Sequence, residues 1–205
     1  MKRTSLLDST KQGSENQKKF AVCELRTKQP TAMNLNPQFL KPQDVLFLLK
    51  LVVLNGPASI FPTVPEALGL SKAEVHNSAK RVRSARLLPH DSWNPLRKNL
   101  LEFLVHGVKY VFPARHGSES IGMPTAYAAP PLNAQIAANG ATQPVWPDPE
   151  GNVRGQALYP LYPSAPQAAR RDPKLYELLT LVDAIRIGNI REQQLAESLL
   201  KERLQ

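Results

Sequence analysis

The chain has 205 residues, enough for one domain with an appendage or for two small ones, and a formal net charge of +9 at pH 7. Such a surplus favours a polyanionic partner. The single cysteine, Cys23, excludes an intramolecular disulfide and a cysteine-based zinc cluster.

The charge is uneven. Residues 1–86 hold 14 Lys/Arg against 6 Asp/Glu, residues 87–172 hold 7 against 6, and residues 173–205 hold 5 against 5. Residues 1–35 carry Lys18, Lys19, Arg26 and Lys28 but few large apolar groups. Such a composition predicts a flexible basic arm, because too little apolar surface is available to offset the entropy of ordering it. Met33 leaves open that residues 1–32 are an upstream extension of the reading frame. The alternative is an arm that follows a DNA groove.

Residues 40–55, LKPQDVLFLLKLVVLN, predict a core helix: Pro42 suits its first turn and Asn55-Gly56-Pro57 ends it. Val45, Leu46, Leu48, Leu49, Val52 and Val53 make it apolar over more than half its circumference, so it should be nearly buried. The same run, interrupted by Lys50, is too short to cross a bilayer. With no secretory leader visible, a cytoplasmic protein without a membrane partner is expected.

A loop follows, and then a short helix over 64–68 with Thr63 as its cap. The segment Gly69-Leu70-Ser71 reads as a tight turn into a second helix, 72–86. Ser71 followed by Glu74 has the spacing of a capping box. Val75, Ala79 and Val82 form one apolar stripe at i, i+4 and i+7. The remaining positions carry Lys72, His76, Asn77, Lys80, Arg81, Arg83 and Arg86, the side-chain types that meet phosphates and base edges in a major groove. A solvated basic face on a packed helical hairpin is the plainer alternative.

This order of elements resembles winged-helix bacterial transcription regulators of the MarR-like kind over roughly residues 36–90. PQDVLFLLKLVVL and VPEALGLSKAEVHNSAKRVRSARLL carry the likeness. The resemblance implies that Ser71, Lys72, His76, Asn77, Lys80 and Arg81 face DNA. Thr63, Arg83 and Arg86 complete the expected DNA-facing set. Asn77 suits adenine, Lys80 suits guanine, and the arginines suit flanking phosphates. A homodimer would place two heads about 34 Å apart on a palindrome. The likeness lapses after Leu88, where Pro89 to Pro95 leads almost at once into another helix. The family's β-hairpin wing is therefore expected to be short, altered or missing.

Residues 95–107 predict that next helix, with Gly107 as its stop, and Val108–Phe112 predicts one short strand. Between Pro113 and Pro173 lie 11 of the chain's 19 prolines, which disfavours long helices and central strands. Residues 113–172 are expected to be an extended segment packed along this chain or a second one, with polyproline-type recognition as the sharper alternative. Residues 173–187 and 189–204 regain helical periodicity, with Pro173 in a first turn and Asn189 as a cap. This C-terminal hairpin would serve dimerisation or partner docking, or else complete the core.

The expected fold is thus mainly α: a basic arm (1–35), a winged-helix-like helix-turn-helix domain with a reduced wing (36–112), a Pro-rich extended segment (113–172) and a helical hairpin (173–205). The expected function is a sequence-specific DNA-binding transcription regulator with double-stranded DNA as partner. The alternative is an antitoxin or adaptor of a two-gene system that wraps a protein partner with residues 113–205. No phosphate-cradling loop, nucleophile elbow or metal-ligand spacing is present in the sequence, so neither catalysis nor a cofactor or metal is expected.

Overall fold

A computed structural model describes residues 39–55, 60–136 and 142–205. The expected N-terminal arm lies outside these residues. α1 (Pro42–Leu54) begins with proline in its first turn, and the Asp44 carboxylate accepts the Lys41 N–H at 2.8 Å. Val45, Leu46, Phe47, Leu48 and Leu49 are fully buried, so the helix runs through the interior. Asn55 ends it in the left-handed region, at φ 43°.

α2 (Ile60–Leu68) starts earlier than its sequence suggests. Thr63 therefore lies within the helix and does not cap it. The helix closes on Gly69 at φ +62°: the Leu70 N–H donates to the Pro65 carbonyl (2.9 Å) and the Gly69 N–H to Glu66 (3.3 Å). This pair of bonds is the Schellman arrangement, in which a left-handed residue satisfies the last carbonyls. Glycine fits because it adopts positive φ without a Cβ clash. α3 (Lys72–Ser84) follows directly, its Val75, Ala79 and Val82 stripe buried against α1 and α2.

None of residues 85–96 is in a strand, so no wing follows α3. The next helix runs from α4 (Arg97–Glu102) through a π-helical turn (Phe103–Gly107) into α5 (Val108–Val111). This corrects two expectations. Gly107 does not stop the helix; the Phe103 ring packs where its side chain would stand, 3.0 Å from an added Cβ. Val108–Phe112 is no strand, because Val108 is fully buried on the helix face and that packing outweighs β propensity.

The Pro-rich span folds as well. β1 (His116–Pro124) pairs antiparallel with both β2 (Pro144–Pro147) and β3 (Val153–Leu158), while β2 and β3 run parallel, so the three strands close on one another. Prolines stand at strand ends (Pro124, Pro144 and Pro147), where a missing N–H costs least. Closure is tight at Gly122, where any Cβ would overlap the Trp146 carbonyl. α6 (Ala165–Arg171), α7 (Pro173–Ile187) and α8 (Ile190–Arg203) complete the chain.

α7 is central, with Leu175, Leu178, Leu179, Leu181, Val182, Ala184 and Ile185 all buried. Asp172 caps it and pairs with Lys50 of α1 at 2.7 Å. The Asp183 carboxylate, 1% exposed, accepts from Thr125 (2.9 Å), Trp146 Nε1 (2.6 Å) and Arg186 (2.6 Å), tying α7 to β2. One apolar core includes residues from α1, α3, α4, β2, α7 and α8. Residues 38–205 form one unit, so the Pro-rich span and the hairpin are parts of the body that holds α1–α3. The fold is α-rich with one small sheet.

Candidate nucleic-acid interface

α3 begins with the capping box its sequence implies. The Ser71 hydroxyl oxygen accepts the Glu74 N–H at 3.1 Å, and the Glu74 carboxylate accepts the Ser71 N–H at 2.8 Å. The Ser71 backbone N–H, and then its hydroxyl, hold the Glu74 carboxyl below its ordinary value of 4.5. A third partner comes from far along the chain: Tyr162 donates to the other Glu74 oxygen at 3.4 Å. Burial, then the Glu74 charge, push the Tyr162 phenol up.

Because the folded value of Glu74 lies below the unfolded one, its stabilisation is full above about pH 4.5 and lost as pH falls further. Glu74→Ala should cost about 1 kcal/mol at pH 7. The difference from the wild type should narrow steadily below pH 4.5, as urea titrations at neutral and acid pH would show. A difference that stayed constant with pH would contradict the assignment.

The two sides of α3 separate cleanly. Val75, Ser78, Ala79 and Val82 are buried, whereas Lys72, His76, Asn77, Lys80, Ser84 and Arg86 are exposed. Among the described residues, the side chains of Lys72, His76, Asn77, Lys80 and Arg86 have no hydrogen bond or ion pair. Arg86 takes the left-handed conformation, at φ 56°, that ends α3, with Leu87 N–H donating to Val82 and Arg86 N–H to Arg83. Its side chain thereby leaves the helix at the end of the exposed face.

Two of the expected contact residues belong to the fold instead. Arg81 is turned inward with 12% of its side chain exposed, and it holds the fully buried Asp44 with both nitrogens of its fork, at 2.7 and 2.6 Å. A guanidinium so engaged cannot also reach a phosphate. The hydrogen bond to Asp44 raises the Arg81 pKa above its ordinary value. Arg83 donates to the Pro89 carbonyl at 3.1 Å and stacks 4.5 Å from the centre of the Trp93 ring. Thr63 is exposed on α2, and Ser71 is exposed at the start of α3.

Sequence reasoning missed Asp44 and Trp93. Asp44 had a partial signal: a carboxylate on a mostly apolar helix expected to be nearly buried calls for a cation or donor beside it. Trp93 had none, since its partners Arg83 and Phe47 come from two different helices. Among the described residues no group of three or more His, Cys, Asp or Glu is placed to hold a metal ion, and no helix is long and apolar enough to cross a membrane.

No protein-family model, curated protein or solved structure matches this chain.

Proposed function

We propose that this protein is a sequence-specific DNA-binding transcription regulator, acting in the cytoplasm, that inserts α3 into the major groove. The observation that carries the reading is the open face of α3: Lys72, His76, Asn77, Lys80 and Arg86 exposed on a helix whose opposite side is buried. Acids placed at i, i+4 from such side chains would pair with them and offset their charge. Here the only acid on α3 is Glu74, and it is committed to the cap.

The order α1–α2–α3, with a Gly69 turn, supports a helix-turn-helix of the winged-helix kind without the wing. Lys72 and Arg86 take phosphates at the two ends of the helix, while His76, Asn77 and Lys80 take base edges between them. The packing of α7 and α8 into the shared core favours this reading over a clamp that wraps a protein partner. α8 turns Arg191, Gln194, Glu197, Ser198, Lys201 and Glu202 to solvent, and Ile190 is the one large apolar side chain exposed with them. A homodimer on a palindrome would therefore form through another surface.

Base-reading and phosphate-binding residues should part company in mutants. Asn77→Ala should lower discrimination between a preferred duplex and its base-substituted competitors by about 1–3 kcal/mol. It should leave the dependence of binding on salt unchanged, because it removes no phosphate contact. Competition binding against a set of single-base variants measures both. Equal discrimination by wild type and variant would remove Asn77 from the base-reading set.

A further inference from the structure

The connection between α3 and α4, where a winged helix carries its hairpin, is fastened at four points, two of them on Arg83 of α3. Arg83 donates to the Pro89 carbonyl at 3.1 Å and stacks on Trp93 at 4.5 Å. The Leu96 N–H donates to the Leu87 carbonyl at 2.9 Å, and Asn99 Nδ2 to the Arg86 carbonyl at 2.8 Å. Trp93 also meets Phe47 of α1 edge-on, with ring centres 6.5 Å apart. These ties hold the connection against both the buried helix and the recognition helix.

The ties leave polar side chains on open surface. His90 and Lys98 are exposed, on the connection and the first turn of α4, and neither side chain has a hydrogen bond or ion pair among the described residues. Arg97 differs: it donates to Asn55 and to the Gln205 carbonyl, so it is spent on the fold. Asn99, one residue beyond Lys98, touches the backbone of Arg86. Lys98 is thus next in sequence to a residue tied to the backbone at the end of α3, as His90 is next to Pro89, which Arg83 holds.

We infer that this fastened connection takes the place of the wing as a second duplex contact, with Lys98 and His90 on phosphates flanking the segment that α3 reads. The length of α3 points the same way: it spans about 20 Å, and helix-turn-helix recognition helices meet base edges with their N-terminal residues. A helix seated by its N-terminal half carries its C-terminal end over the sugar-phosphate ridge, where Arg86 and the residues tied to it meet backbone. Arg83 is a positioning residue in this scheme: it holds Pro89 and Trp93 and leaves the phosphate to its neighbours.

The inference rests on the DNA-binding reading of α3, and the test separates the two. Full-length protein is titrated by fluorescence anisotropy into a labelled duplex of about 30 base pairs, roughly three helical turns, from upstream of its own coding sequence. A scrambled duplex and a series of salt concentrations complete the set. Lys98→Ala should melt like the wild type, bind several-fold more weakly to both duplexes and lower the log-log salt slope by about 0.9. Its preference for the upstream duplex should not change, and Lys98→Arg should restore the slope. A Lys98→Ala protein with wild-type affinity and slope, alongside a weakened Lys80→Ala, would overturn this inference and leave α3 as the reader. If neither variant changed affinity or slope, both readings would fall.

Discussion

Asp44→Ala should destabilise the protein by about 3–5 kcal/mol, a large share of the 5–15 kcal/mol typical of a folded domain. Asp44 is fully buried on α1 and holds Arg81 of α3 by two hydrogen bonds. Removing the carboxylate leaves a guanidinium largely out of water with only the Ser78 hydroxyl, 3.1 Å away, to satisfy it. The cost comes from the stranded charge. Replacing both partners with leucine should therefore recover most of the loss, and a double-mutant cycle in urea should report strong coupling. Because the pair sets how α3 sits on α1, Asp44→Ala should also weaken DNA binding, although neither residue is free to touch DNA. A loss below about 1 kcal/mol would show that α3 is held by apolar packing alone.

Asp183→Ala should be comparably damaging, again about 3–5 kcal/mol. Its carboxylate serves three donors from three parts of the chain: Thr125 after β1, the Trp146 indole in β2 and Arg186 one turn along α7. All three are shut away from water, and the Arg186 side chain is only 4% exposed. Without Asp183 the indole N–H loses its acceptor, and Arg186 retains only the Phe112 and Pro113 carbonyls. For a chain of this size each 1 kcal/mol moves the melting temperature by about 2–4 °C, so a fall of roughly 10 °C is expected in a thermal melt. A fall of under about 2 °C would mean that the sheet docks on α7 without this network. Asp183→Asn retains one acceptor and should lie between the two.

What could be read from the chain beforehand was local. α1, α3, α7 and α8 announce themselves because their signals lie within a few residues: Pro42 and Pro173 in first turns, Ser71 with Glu74, Asn189 as a cap, and apolar residues at helical spacing. The failures share the opposite property. Arg81 reads as a phosphate contact until Asp44, 37 residues away, is placed beside it. The Pro-rich span reads as extended because its strand partners are non-local and its closure depends on backbone contacts at Gly122 that no periodicity encodes. Val108–Phe112 has strand-like composition, yet the helix beginning at Arg97 carries on to Val111. Of the candidate interface, the exposed part of α3 was legible, Asp44 only as a carboxylate in need of a partner, and Trp93 not at all.

Fluorescence anisotropy of the purified protein at low and high salt decides whether the open face of α3 binds DNA. The probes are the duplex upstream of its own gene and a scrambled duplex of equal composition. The wild type should prefer the upstream duplex. A variant carrying Lys72→Ala, Lys80→Ala and Arg86→Ala should melt normally, lose that affinity and flatten the salt slope by up to about 0.9 for each phosphate contact removed. Equal, weak binding of both duplexes by wild type and variant, with the same salt slope, would mean that α3 is not a DNA reader.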